Sequence, residues 1–270
     1  MNQDMTVFLD ETLELAGKEL MRFFEGSFEI QKKKDSSLVT DADLASERII
    51  VERIKKYFPD DKILSEECGL SSSDRTEGSH IWIIDPLDGT TNFANRYPFF
   101  SVSIARGIFT DSGYIDIVLG GVEAPVFKKR YLSEKGRGVY CNGKPISCSK
   151  RESFRDAFIV TGFYPLTGRE FTSNLKTFLA VAKRCQNIRR DGSAALDLAL
   201  VAEGLFDGFW EYGLRPWDVA AGKLLVTESG GYIVNYNAKP GEPYDIEGKG
   251  LIAGSSMFVK NLSEIVRNGR

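Results

Sequence analysis

Histidine is nearly absent: His80 is the single one in 270 residues. Within one chain, that excludes a His-rich zinc centre, a paired-His iron centre and the His-x-x-Glu-His pattern of metalloproteases. A catalytic triad or a phosphohistidine mechanism would have to use His80, which stands at the edge of an apolar run. Cysteine is also sparse. Cys68, Cys141, Cys148 and Cys185 form no Cys-x-x-Cys pair and fall far short of a disulfide scaffold, so reduced thiols and a cytoplasmic location are expected. No apolar run approaches the roughly 20 residues of a membrane-crossing helix, and Met1 to Phe8 has no basic flank, so neither a span nor a signal peptide is expected. Excess charge is missing too. A formal net charge of -3 with both signs interspersed gives no nucleic-acid footprint. Lys32 to Lys34 is the one basic run, either a solvated loop or a neighbour of an anionic substrate.

What remains is an ordinary globular composition, with 42% hydrophobic and 27% charged residues, on a chain long enough for one large domain or two packed halves. Leu9, Leu13, Ala16, Leu20 and Phe24 recur at helical spacing. Thr40 followed by Asp41 and Asp43 reads as a capped start to a second helix, whose apolar face runs through Ile49, Ile50, Ile54 and Tyr57 to Pro59. Short β-rich runs follow: 63–64, 81–84, 99–104, 118–122, 131–132 and 139–140, with Asn142-Gly143 as a tight turn. They predict a largely antiparallel sheet. After about Ser149, strands and helices alternate as in an α/β half. The expected organisation is 1–149 and 150–270, tightly packed and with no linker between them.

Chemistry concentrates in Trp82-Ile83-Ile84-Asp85-Pro86-Leu87-Asp88-Gly89-Thr90-Thr91-Asn92-Phe93. A buried strand ending at Asp85, a turn through Pro86 and a second acid at Asp88 place two carboxylates where they repel each other and lose water. Either dipeptide alone, Asp85-Pro86 or Asp88-Gly89, would pass for an ordinary turn; together they ask for a cation. Mg²⁺ suits them because it prefers carboxylate and carbonyl oxygens, and the Leu87 carbonyl lies between the two acids. The Gly-Thr-Thr that follows is expected to open a helix whose free N–H groups face a phosphate. Glu66 and Glu67 after the strand at 62–64, and Asp218 at the start of an apolar helix, are further acids. Alone, the first two would read as a solvated loop and the last as a helix cap.

These segments resemble the motifs of the inositol monophosphatase family. Ser65-Glu66-Glu67, the stretch from Trp82 to Phe93 and Trp217-Asp218-Val219-Ala220-Ala221-Gly222 carry the resemblance. Val39 to Asp43, Asp191 to Ala195 and Glu228 to Gly231 extend it over nearly the whole chain. The resemblance implies an α+β fold, a layered αβαβα sandwich of the inositol monophosphatase / fructose-1,6-bisphosphatase type, with two to three Mg²⁺ ions. By it, Glu66, Asp85 and the Leu87 carbonyl hold one ion, Asp85, Asp88 and Asp218 a second, and Glu66 a weaker third with Glu67 beside it. Asp43 and Thr90 position the attacking water, and Gly89 and Thr90 meet the phosphate. Asp88, Gly192, Ser193, Ala194, Glu211 and Asp218 contact the substrate. Hydrolysis would be direct and in line, without a phosphoenzyme.

Thr91-Asn92 after Asp88-Gly89-Thr90 is similar to the inositol branch, where related branches carry Lys-Glu or Arg-Ser. Inositol 1-phosphate is therefore the expected substrate, with fructose 1,6-bisphosphate or another sugar or polyol phosphate as the alternative. The resemblance also implies a homodimer and lithium sensitivity, and leaves room for an added regulatory binding role. Asp41-Ala42-Asp43 resembles the Asp-x-Asp of phosphatases that form an aspartyl-phosphate. That motif, however, ends a strand and carries Thr where this chain has Ala45.

Overall fold

The structure is a computed structural model and describes residues 4–32, 38–163, 169–238 and 242–268. Helix α1 (Met5–Glu25) begins at Asp4, whose side chain accepts from Thr6 N, and buries Leu9, Leu13, Ala16 and Leu20 on one face. A small ribbon of β1 (Ile30–Lys32) and β2 (Leu38–Thr40), not anticipated from the sequence, leads into α2 (Asp41–Tyr57). Lys32 ends β1 and is exposed; Lys33 and Lys34 lie outside the described residues. Thr40 caps α2 as its sequence predicts. Its Oγ1 accepts from Ala42 N at 3.2 Å, and Asp43 Oδ2 accepts from Thr40 N at 2.8 Å, so each end of the box satisfies a backbone donor that the helix leaves open.

The chain then builds β3 (Lys62–Ser65), β4 (Gly69–Leu70), β5 (His80–Asp88), the short helix α3 (Thr90–Ala94), β6 (Ser101–Phe109), β7 (Ile115–Ala124), β8 (Lys129–Glu134), β9 (Val139–Cys141) and β10 (Lys144–Pro145). The strands form one eight-stranded sheet in the order β10-β9-β8-β7-β6-β5-β3-β4, antiparallel throughout except for the β3/β5 pair. Asn142 and Gly143 turn β9 into β10 at φ 49° and 74°, the left-handed pair that a two-residue hairpin requires. The second part comprises β11 (Phe158–Thr161), α4 (Arg169–Ala182), β12 (Asn187–Arg189), α5 (Ala194–Ala202), β13 (Gly208–Tyr212), α6 (Pro216–Glu228), β14 (Tyr232–Asn235), β15 (Gly250–Gly254) and α7 (Ser256–Asn268). Its five strands run β12-β11-β13-β15-β14, with β11 parallel to both neighbours and β15 antiparallel to both of its own.

Three apolar clusters stack these elements into five layers. Leu9, Leu13, Ile50 and Ile54 of α1 and α2 pack on Trp82, Ile84 and Ile104 of the large sheet. On its other face, Ile83 and Val122 meet Leu196, Leu198, Val219 and Leu225 of α5 and α6, which in turn meet Val160, Phe209 and Leu251 of the small sheet. Val181, Phe258 and Leu262 of α4 and α7 close the far side over Ile159, Trp210 and Ile252. The order is αβαβα. Sandwiched between two sheets, α5 is buried nearly all round, which its sequence AALDLALVA reflects. Burial of each such large apolar side chain stabilises the fold by roughly 1.5–3 kcal/mol.

One local expectation needs correction. Strand β5 does not end at Asp85 and turn; it continues through Pro86 and Leu87 to Asp88, with its register to β6 shifting between Asp85 and Asp88. An irregular stretch tolerates proline because no ladder N–H is required there. Among the described residues no helix is long and apolar enough to cross a membrane.

Candidate metal and phosphate site

The shift in β5 builds the centre of the site. Asp85 is the last residue in regular register, opposite Ser103, and Asp88 resumes pairing opposite Ser101. Between them Leu87 N donates to Asp85 Oδ1 at 3.1 Å, and buried Ser46, on α2, donates its hydroxyl to the Pro86 carbonyl at 2.8 Å. Both carboxylates are thereby turned to one side of the strand end. Glu66 arrives through the parallel pair: Ser65 stands opposite Ile84, and Glu66 N donates to Ile84 O at 3.2 Å. Asp218 is the third residue of α6, not its cap. Its Oδ2 accepts from Arg215 N at 2.7 Å, while the Trp217 carbonyl accepts from Ser103 Oγ at 3.3 Å, fixing the helix start against β6.

Oxygens of Asp85, Asp88 and Asp218 lie within 4.8 Å of one another. They sit in a cleft of about 580 Å³ that is also lined by Glu66, Leu87, Gly89, Thr90, Gly192, Ala194 and Glu211. Burial raises the pKa of all three acids: Asp85 and Asp218 are pushed well above the ordinary carboxylate range, and Asp88 up to about 7. Charge on their neighbours adds to this, Glu66, Asp88 and Asp218 acting on Asp85, and Asp88 acting on Asp218. Such a set is costly as bare anions and favourable around a hard cation, and its all-oxygen chemistry fits Mg²⁺. Asp88 is also structural. Its Oδ2 accepts from Ser193 Oγ and from Ala195 N, both at 2.7 Å, so it closes the N-terminus of α5.

Asp43 and Thr90 come together next to these acids. Thr90 Oγ1 lies 3.1 Å from both Asp43 Oδ1 and the Leu87 carbonyl, while Asp43 Oδ2 accepts from Thr40 N and, at 2.6 Å, from Thr40 Oγ1. Burial lifts Asp43 to about 6 against these stabilising bonds. The expected helix after Gly89 is present but spans only Thr90–Ala94. Gly89 itself has φ 95°, and a Cβ there would meet the Phe99 carbonyl at 3.0 Å, so no other residue fits without strain. Gly192, at φ 88°, is drawn against α3 by Asn92, whose Nδ2 donates to the carbonyls of Asp191 at 2.8 Å and Phe99 at 2.7 Å.

Of the residues expected to touch substrate, Gly192, Ala194 and Glu211 line the cleft. Ser193 is buried and spends its hydroxyl on Asp88. Glu67 is not among the cleft-lining residues. His80 sits at the opposite end of β5, its Nδ1 3.9 Å from Asp61 Oδ1, and takes no part. Several contributors carried no signal in the sequence. Buried Glu47 accepts from Ser65 Oγ, from Cys68 N at 3.1 Å and from Cys68 Sγ at 2.9 Å, bracketing Glu66. Buried Asp197, in the first turn of α5, has an Oδ1 with no partner among the described residues and a pKa raised by burial and then by Asp191 and Glu211. Arg190 lines the cleft.

The five-layered architecture, with a carboxylate cluster suited to a metal ion at the end of β5 and the start of α6, is that of a metal-dependent phosphatase class. The chain belongs to the inositol monophosphatase family, whose profile matches residues 1–268. It is 38% identical over 226 residues to the fructose-1,6-bisphosphatase/inositol-1-monophosphatase of Aquifex aeolicus, covering 84% of this chain and 80% of that one. It is 37% identical over 241 residues to the Nus factor SuhB of Escherichia coli strain K12, covering 89% and 86%. The structure of inositol monophosphatase from Anabaena superposes with a TM-score of 0.84 at 34% identity, covering 98% of this chain and 95% of that one.

Proposed function

We propose that this protein is a Mg²⁺-dependent phosphomonoesterase that hydrolyses inositol 1-phosphate to inositol and phosphate. The observation that carries this reading is the convergence of Asp85, Asp88 and Asp218 oxygens within 4.8 Å. Glu66, Asp85 and the Leu87 carbonyl would hold one ion, and Asp85, Asp88 and Asp218 a second, with Glu66 and neighbouring Glu67 available to a weaker third. When bound, the dications supply positive charge for the phosphate oxygens and acidify water.

The chain's own groups do the rest. Thr90 Oγ1, held between Asp43 and the Leu87 carbonyl, orients the attacking water, and Asp43 accepts its proton through that hydroxyl. Gly89 leaves its side open to the phosphate. Gly192, Ala194 and Glu211 contact the alcohol, Glu211 by hydrogen bonds to hydroxyls, while Ser193 acts indirectly by holding Asp88. The name of the Aquifex relative supports fructose 1,6-bisphosphate or another sugar or polyol phosphate as the alternative substrate. That of the Escherichia coli relative supports a regulatory role alongside catalysis. A cytoplasmic homodimer, inhibited by Li⁺ at a metal position, completes the reading, and the four unpaired cysteines agree with the compartment.

A panel of inositol 1-phosphate, fructose 1,6-bisphosphate, a nucleotide 3′-phosphate and histidinol phosphate, compared by kcat/KM at fixed Mg²⁺, tests this. Inositol 1-phosphate should lead. A clear preference for another ester would change the substrate, and no phosphate release from any would end the enzymatic reading.

A further inference from the structure

Helix α2 grips the site at three places along one face. Asp43, Ser46 and Glu47 are all buried, at helical spacing, and each reaches a different segment. Asp43 meets Thr90 at the start of α3, Ser46 meets the Pro86 carbonyl in β5, and Glu47 meets the turn after β3. The hydrogen bonds of Glu47 reach no residue expected to touch metal or substrate. What they hold is the turn that carries one. Glu66, Glu67 and Cys68 join β3 to β4, and β4 is only two residues long, paired through Leu64–Leu70 and Ser65–Gly69 at the edge of the sheet.

A ladder that short fixes its turn weakly. The turn also carries two adjacent acids, and Glu66 lines the cleft with Asp85, Asp88 and Asp218, so like charge pushes it away from them until a cation arrives. Glu47, 4% exposed, closes on both ends of the turn. Its Oε1 accepts from the buried Ser65 hydroxyl and from Cys68 N at 3.1 Å, and its Oε2 accepts from Cys68 Sγ at 2.9 Å. Glu66 lies between the two grips, its own N–H donating to the Ile84 carbonyl at 3.2 Å. A buried carboxylate that accepts three bonds is itself held in one place, so the turn is ordered before any ion binds. Groups that fix a metal ligand in this way raise affinity, because the ion need not order the ligand.

We propose that Glu47 is a positioning residue for the metal site: by gripping Ser65 and Cys68 it holds Glu66 toward the cleft and so sets the Mg²⁺ requirement without touching metal or substrate. The proposal rests on the reading of Glu66 as a metal ligand. Its test is the Mg²⁺ dissociation constant, fitted from thermal melts titrated with Mg²⁺ in the absence of substrate, for wild type, Glu47→Ala, Glu47→Gln and Ile54→Val. E47A should weaken Mg²⁺ binding by about ten- to hundredfold and raise the Mg²⁺ concentration for half-maximal phosphate release alike. Its KM for inositol 1-phosphate at saturating Mg²⁺ should change by less than about twofold. E47Q keeps an acceptor for Ser65 and Cys68 N and should stay within about threefold of wild type. I54V, a core change on the same helix, should melt lower yet bind Mg²⁺ as wild type does, which separates positioning from loss of stability. Should E47A fail to fold, Ser65→Ala and Cys68→Ala decide, each removing one grip and weakening Mg²⁺ binding by about two- to tenfold. A folded E47A, or both milder variants, with wild-type Mg²⁺ affinity would overturn the role of Glu47 and leave the phosphatase reading intact. A wild type that Mg²⁺ does not stabilise would overturn both.

Discussion

Replacing Asp88 with asparagine should make the metal-free protein more stable while removing its activity. The carboxyl is buried, and its pKa stands at about 7 against an ordinary 3.8. At 1.36 kcal/mol per pH unit, holding an anion there costs up to about 4 kcal/mol at pH 8. The cluster shares its charges and relaxes, so a gain of about 1–3 kcal/mol is expected on neutralising this one. Asparagine keeps an acceptor for Ser193 Oγ and Ala195 N, so the start of α5 stays closed. The sign with pH follows from the raised pKa. The penalty is full above about 7, shrinks as the native carboxyl protonates, and is gone below 3.8, so the advantage of the variant narrows between pH 8 and pH 5. Thermal melts in EDTA measure it, with a rise of roughly 3–10 °C at pH 8 for a chain of this size. Mg²⁺ should then raise the melting temperature of wild type more than that of the variant. A variant that melts below wild type in EDTA at pH 8, or equal stabilisation of both by Mg²⁺, would refute the argument.

Asp43→Asn keeps an acceptor for Thr40 but loses the proton acceptor, so kcat should fall by about 10²–10⁴ while the protein melts no lower than wild type at pH 8, since a buried acid with a raised pKa is neutralised; steady-state kinetics and melts decide together. Wild-type activity should decline as pH drops through about 6, where Asp43 gains its proton, and a rate profile flat from pH 8 to pH 5 would contradict this. Ser46→Ala leaves the Pro86 carbonyl without its donor and should destabilise the fold by about 1–3 kcal/mol in urea titrations. Gly89→Ala places a Cβ 3.0 Å from the Phe99 carbonyl at φ 95°, which should cost about 1–3 kcal/mol and most of the activity.

How much could be read in advance follows the range of the interactions. Thr40 as a cap, Asn142-Gly143 as a turn and the apolar face of α1 depend on neighbours a few residues away, and all three stand where the sequence places them. Pro86 misled because a proline after an acid signals a turn, whereas Ser46, 40 residues earlier, anchors its carbonyl and lets the strand run on. The ribbon of β1 and β2 escaped because its first strand, Ile30 to Lys32, is exposed and has no alternating apolar face. In the site, Asp85 and Asp88 were legible from spacing alone. Glu66 and Asp218 looked ordinary until the family resemblance joined them, because the parallel β3/β5 register and the Ser103 bond that bring them in are tertiary facts. The family resemblance alone put Ser193 at the substrate, and the bond that its hydroxyl donates to Asp88 is a contact across 105 residues that no local pattern announces. Glu47 and Asp197 stood in helical stretches with nothing to mark them, and only packing reveals that they are buried.

The most direct test of the central claim is phosphate release from inositol 1-phosphate titrated with Mg²⁺ for wild type and Asp218→Asn side by side. The carboxylate cluster predicts saturable Mg²⁺ dependence in wild type, complete loss in EDTA, and at least a tenfold higher Mg²⁺ requirement or a loss of turnover in D218N, at about one charged ligand's contribution. Wild-type release that persists in EDTA, or a Mg²⁺ curve unchanged in D218N, would contradict it.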